Sequence, residues 1–220
     1  MHKFLKLITV LLYFASFGIS ASENSLFIDS KIKNGESVEF LKFSGPGQWD
    51  NYLTMNLPFE PTTGLLQELQ NKENLILKNR GEAHITVITP VEYWNILKPL
   101  NITMYEINQI AESMKIQSSQ FDILCLGIGK STADKELKTF YIVVHSENLL
   151  NIRREIQSLV VAKGGNLNDF DPDHFYPHIT LGYTQRDLHE SDGVFKDKNT
   201  CIYQLTTFDN RFQAHPNFQL

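Results

Sequence analysis

The chain has 220 residues, 42% of them hydrophobic and 20% charged. That is enough apolar material for one sizeable core and an ordinary globular composition. A formal net charge of −5 argues against a long basic groove for duplex nucleic acid, while leaving room for a small pocket that takes one phosphate group or one strand end.

At the N-terminus Lys3 and Lys6 precede an apolar run, LITVLLYFASFGIS, which ends in small residues. This is the layout of a secretory signal peptide, with cleavage expected near Ser20 to Ser22. The run is short for a membrane span, which needs about 20 apolar residues; an uncleaved N-terminal anchor is the alternative. Removing residues 1–22 takes away two lysines and no acid, leaving 18 Lys+Arg against 25 Asp+Glu and a net charge of −7. Residues 23–220 are then expected to form a single exported domain, secreted or periplasmic, monomeric and without membrane attachment.

After a polar lead, VEFLKF and a turn-rich SGPGQW precede NYLTMNLP, whose alternation predicts a strand ending at Pro58. TTGLLQELQNKEN sets Leu65, Leu66 and Leu69 at helical spacing behind a threonine cap. AHITVIT predicts a strand, and Thr89-Pro90 then fits an N-cap and first-turn proline opening VEYWNILK. Residues 101–116 place Met104, Ile107, Ile110, Ala111 and Met114 on one helical face. FDILCLGIG and TFYIVVHS predict strands joined by a polar loop, and ENLLNIRREIQSLVVAK predicts a helix stopping at Gly164-Gly165. YPHITLGYT and CIYQLTTF complete the strands. Cys125 and Cys201, the two cysteines, both fall in strand-like segments without metal-ligand spacing. A single bridge and two buried thiols are both open.

The segments AHITVIT and YPHITLGYT repeat His-Ile-Thr-aliphatic, one copy in each half. Successive strand residues alternate faces, so His84 and Thr86 point one way and Ala83, Ile85 and Val87 the other. His178 and Thr180 share a face in the second copy. Each strand offers an imidazole and a hydroxyl about 6.6 Å apart, twice the strand rise. Set across a cleft, two such strands suit phosphodiester cleavage without a metal. One neutral imidazole takes a proton from the attacking oxygen, and a protonated one gives a proton to the leaving oxygen. The threonine hydroxyls donate to the non-bridging oxygens. One His-x-Thr triplet is common by chance; two with isoleucine in the middle and an aliphatic residue after it are not.

These paired motifs resemble those of the two-histidine (2H) phosphoesterase superfamily, which includes cyclic nucleotide phosphodiesterases and 2′-5′ RNA ligase-like proteins. The resemblance runs from about Asn51 to Phe208. More narrowly, FYPHITLGYTQRDLHESDGVFKD is similar to the branch attached to "Swiss army knife" RNA-repair-like proteins. The resemblance implies an α+β, bilobal, pseudo-symmetric fold with two antiparallel sheets flanked by helices around a central cleft. It also implies His84, Thr86, His178 and Thr180 as catalytic residues, and a small nucleotide or RNA-end phosphodiester as substrate. No cofactor and no metal is expected. The signal-like N-terminus departs from a role in RNA repair, which belongs inside cells.

Tyr176 shares the face of His178 and is a candidate to stack on a base; an ordinary half-buried tyrosine is the alternative. Arg186 is a candidate to steady a phosphate, against a surface ion pair with Asp187 or Glu190. His189 has no assigned role. Two other functions compete with the enzyme. One is a binding module that keeps the cleft and captures a phosphorylated ligand without turnover. The other is a zinc hydrolase using Asp171, Asp173 and His174, since His174 and His178 have a His-x3-His spacing.

Overall fold

A computed structural model describes residues 24–209; the expected signal peptide, residues 1–22, lies outside them. Among the described residues no helix is long and apolar enough to cross a membrane.

The described residues form seven strands and four α-helices in the order β1 (Ser25–Asp29), β2 (Leu53–Leu57), α1 (Glu60–Glu73), β3 (Ala83–Ile88), α2 (Pro90–Glu92), α3 (Met104–Ser113), β4 (Asp122–Lys130), β5 (Lys138–His145), α4 (Glu147–Ala162), β6 (His178–Tyr183) and β7 (Cys201–Phe208). The fold is α+β. Its strands form a five-stranded sheet in the order β1-β7-β4-β5-β6 and an antiparallel β2-β3 pair. Two matched antiparallel sheets are the sequence expectation, and the larger sheet departs from it because β1 lies parallel to β7. Strand β1 falls in the stretch read as a polar lead. Leu26 and Ile28 alternate there with exposed Phe27 and are both 1% exposed.

Local chemistry sets the helix ends. Thr89 and Glu92 form a capping box at α2, and the chain continues as a π turn (Tyr93–Leu97) and a 3-10 turn (Lys98–Leu100). The next helix begins at Met104, behind a Thr103–Glu106 capping box, and not at residue 101. Asn101 ends the preceding turn at φ 56°, left-handed backbone that asparagine tolerates better than most residues. The first long helix starts at Glu60 with a proline in its first turn. Thr62 is thus inside it, its hydroxyl donating to the Phe59 carbonyl at 2.6 Å. The α4 helix ends as expected at Gly164 (φ 89°), where the Gly165 amide donates to the Val160 carbonyl at 3.0 Å.

One continuous core joins the two sheets and the helices, through Leu65 and Leu69 of α1, Ile85 of β3, Ile107 of α3, Ile142 of β5, Ile156 of α4 and Ile179 of β6. Cys125 and Cys201 form a disulfide with Cα atoms 5.7 Å apart, closing 76 residues of sequence separation.

The β2-β3 pair meets the larger sheet at β6, where β3 packs beside it. Just ahead of β3, Lys78 pairs with Tyr183 at the end of β6, by amide-to-carbonyl bonds of 2.8 and 2.9 Å. Gly182 permits this approach: a Cβ there would meet the Lys78 carbonyl oxygen, Leu66 and Leu77, each at 3.1 Å. The two His-Ile-Thr strands therefore come together although 94 positions separate their histidines.

Candidate active site

Both strands alternate as their sequences predict. In β3, Ala83, Ile85 and Val87 are buried while His84 and Thr86 are half-buried; in β6, Ile179 and Leu181 are buried while His178 and Thr180 are half-buried. The apolar side of each strand faces the core, so the polar side opens on one shared cavity of about 720 Å³ lined by His84, Thr86, His178, Thr180 and Tyr176. That volume suits a nucleotide-sized ligand.

The His178 ring is held on both nitrogens. Its Nδ1 lies 2.7 Å from the Tyr176 carbonyl; a carbonyl only accepts, so Nδ1 carries the proton and Nε2 of the neutral ring presents its lone pair. Nε2 is 3.2 Å from the ammonium of Lys196. That ammonium is only 3% exposed and donates to Asp187 Oδ1 at 2.9 Å. Asp187 Oδ2 in turn accepts from Thr180 Oγ1 and from Arg80 Nη2, each at 3.3 Å. His84 has a different companion, Glu82, with Oε1 3.5 Å from its Nδ1.

Asp187 is placed by the loop after β6, pinned where buried Leu188 donates its amide to Thr139 Oγ1 at 2.9 Å. Lys196 is placed by Val194, whose buried side chain follows the Gly193 turn at φ 77°. Neither Asp187 nor Lys196 stands out by spacing, although both fall within FYPHITLGYTQRDLHESDGVFKD.

Burial lowers the His178 pKa well below the ordinary histidine value, and the adjacent Lys196 charge lowers it further. Burial also lowers that of His84, with Glu82 opposing, and that of His189, which lines the same cavity. For Asp187 burial pushes upward, but the charge and hydrogen bond of Lys196 outweigh it, so the carboxyl lies below its usual value. The Lys196 ammonium is itself lowered by burial, with Asp187 opposing.

Histidines with depressed folded-state pKa values link stability to pH. Below about pH 6.5 the unfolded chain takes up protons that the folded chain resists, so stability is complete above that pH and is lost as pH falls toward the lowered values. The Tm should therefore be lower at about pH 5.5 than at about pH 7.5, with a smaller difference in His178→Asn. Thermal unfolding at the two pH values checks this; equal Tm values in the wild type would refute it.

Arg186 does not line the cavity. Its guanidinium sits on Asp192, at 2.9 and 2.5 Å, and donates to the Asp187 carbonyl at 3.1 Å. Its ion pair is with neither of the acids weighed from the sequence; Arg80 is the arginine at the cavity beside Asp187. Tyr176 does line the cavity, edge-on to His174 at 5.2 Å and to Phe195 at 5.5 Å. The His174 ring pairs with Glu190 at 2.9 Å, whereas Nε2 of His178 meets Lys196. Among the described residues no group of three or more His, Cys, Asp or Glu side chains is placed to hold a metal ion.

Two imidazoles and two hydroxyls thus open on one cavity, from strands of an α+β domain that pack side by side. The family model described as "Swiss Army Knife, 2H phosphoesterase domain" matches residues 51–189. The chain belongs to this 2H phosphoesterase family, in its Swiss Army Knife branch, and the family supports phosphodiesterase-type activity in general. No curated protein and no solved structure matches the chain significantly.

Proposed function

We propose that the protein is an exported, metal-independent phosphodiesterase acting on a cyclic phosphate, a cyclic nucleotide or a 2′-5′-linked oligonucleotide. The observation that carries this reading is the opening of His84, Thr86, His178 and Thr180 on one cavity. The reading treats the β3 and β6 segments as equivalent contributors from the two halves of a bilobal, pseudo-symmetric fold, each supplying one imidazole and one hydroxyl.

The unequal surroundings of the imidazoles favour a division of labour. His178, beside a cation and with Nδ1–H tied to a carbonyl, suits the base. His84, beside Glu82, suits the acid, because a neighbouring carboxylate favours the protonated ring. A bound phosphodiester anion strengthens that preference. In the step, the water oxygen bonds to phosphorus as its proton passes to Nε2 of His178. The bond from phosphorus to the leaving oxygen breaks as that oxygen receives the proton of His84. Thr86 and Thr180 donate to the non-bridging oxygens. Arg80 takes the phosphate-steadying role first considered for Arg186, and Tyr176 stacks on a base at the cavity mouth.

The apolar N-terminal run supports export to a periplasmic or extracellular setting, and the acidic net charge of −5 supports a small substrate over duplex nucleic acid. The test is a panel of 2′,3′-cyclic phosphates, cyclic nucleotides, dinucleotides and 2′-5′ oligonucleotides incubated with purified protein in excess EDTA, with product identification. At least one member should be hydrolysed; tight nucleotide binding without any product would instead favour a binding module.

A further inference from the structure

We propose that Lys196 contacts the substrate's phosphate: its ammonium is bonded to Nε2 of His178, and an arriving phosphodiester draws it onto a non-bridging oxygen and frees that nitrogen to act. The residue lies beyond the 51–189 segment matched by the family model.

Three observations lead here. First, a cation that is 3% exposed is nevertheless part of the cavity wall. Burying an ammonium is costly unless it is paired, and Asp187 provides the pairing at 2.9 Å. Second, an ammonium has three donors. One is directed at Asp187 and one at His178 Nε2, leaving capacity for an incoming oxygen. Third, Nε2 of the neutral ring has one lone pair, and in this structure Lys196 is bonded to it. A base so occupied cannot take a proton from water until the donor moves. An anion in the cavity supplies the pull, since a charge-assisted bond to a phosphate oxygen is stronger than one to a neutral imidazole.

Asp187 acts as a positioning residue. Its second oxygen gathers Thr180 and Arg80, so one carboxylate aligns a hydroxyl and two cations beside His178. His84 and His189 line the same cavity, and the buried Tyr141 ring lies 5.4 Å from the Lys196 ammonium and 5.7 Å from the His178 ring.

The inference rests on the phosphodiesterase reading only for the nature of the anion, and its test needs no turnover. The His178 ring is followed by NMR against pH in the wild type and in Lys196→Met, with and without inorganic phosphate. In Lys196→Met the His178 midpoint should move to higher pH, because a lowering charge has gone. The affinity for inorganic phosphate should fall about tenfold or more, and Lys196→Arg should restore part of it. In the wild type, phosphate should itself raise the His178 midpoint.

Should Lys196→Met fail to fold because it strands the Asp187 carboxylate, Asp187→Asn/Lys196→Met removes both charges and carries the phosphate-affinity measurement, its reference being Asp187→Asn alone; the His178 midpoint is read only where Asp187 is kept, because that carboxylate raises it. An unchanged His178 midpoint, equal phosphate affinity with and without Lys196, or no phosphate binding by the wild type would overturn the inference. If these shifts appear while no member of the substrate panel is cleaved, the activity reading fails and the role of Lys196 as an anion contact stands.

Discussion

His84→Ala and His178→Ala should each lower kcat/KM on any substrate the protein cleaves by about 10²–10⁴-fold, the usual contribution of one general acid or base. The two losses should not multiply in the double variant, because acid and base act in one concerted displacement. The pH dependence separates the roles. The wild-type profile of kcat/KM should be bell-shaped, its acidic limb reporting the base and its alkaline limb the acid. With His178 as base, the acidic limb falls below the ordinary histidine range, because burial and the Lys196 ammonium lower that ring's pKa. His178→Ala should flatten this limb, and His84→Ala the alkaline one. Steady-state rates across pH in excess EDTA provide the measurement. Full activity in both single variants would end the two-histidine reading.

Removing the guanidinium of Arg153 should have the largest effect on stability. This arginine of α4 is 1% exposed, with its carbon 4.7 Å from the Phe170 ring centre and 5.0 Å from that of Phe175. It donates to the carbonyls of Val87, Asp171, Pro172 and His174 at 2.8–3.1 Å and to Glu92 Oε1 at 2.8 Å. These partners tie the end of β3, three residues past His84, to the loop that leads into β6, four residues before His178. Arg153→Met would keep much of the apolar stem and strand all five acceptors.

Breaking a buried ion pair from one side costs about 3–5 kcal/mol, and the unsatisfied carbonyls add to that. For a domain of this size the Tm should fall by roughly 10 °C or more. Arg153→Lys should recover only part of the loss, because a lysine cannot reproduce the planar fork. Thermal and urea unfolding followed by far-UV circular dichroism test this. A Tm within about 2 °C of wild type in Arg153→Met would show that the clamp contributes little.

The parts of the site that were legible from the chain were those governed by short-range geometry. Strand alternation is a two-residue property, so AHITVIT and YPHITLGYT already separated His84, Thr86, His178 and Thr180 from the aliphatics they sit among. Helix caps are three- and four-residue properties, so Thr89-Pro90 and the Gly164-Gly165 stop were readable too. The threonine cap assigned to α1 failed, because a helix can begin on backbone and proline preferences without a side-chain cap: Glu60 and Pro61 start it ahead of Thr62.

Tertiary structure decided whatever depends on which segments meet. Strand β1 is short, and only its parallel register on β7 identifies it as part of the sheet. The cysteines are 76 residues apart, and their pairing follows from β4 and β7 being neighbours. Arg186 turned to Asp192 because the intervening loop folds back, whereas Arg80 reached Asp187 across 107 residues. The Lys196–Asp187–His178 cluster has no sequence period at all, since loops place two of its members. A buried charge is tolerated only where a partner waits, and that partner is supplied by the fold rather than by the neighbouring residues.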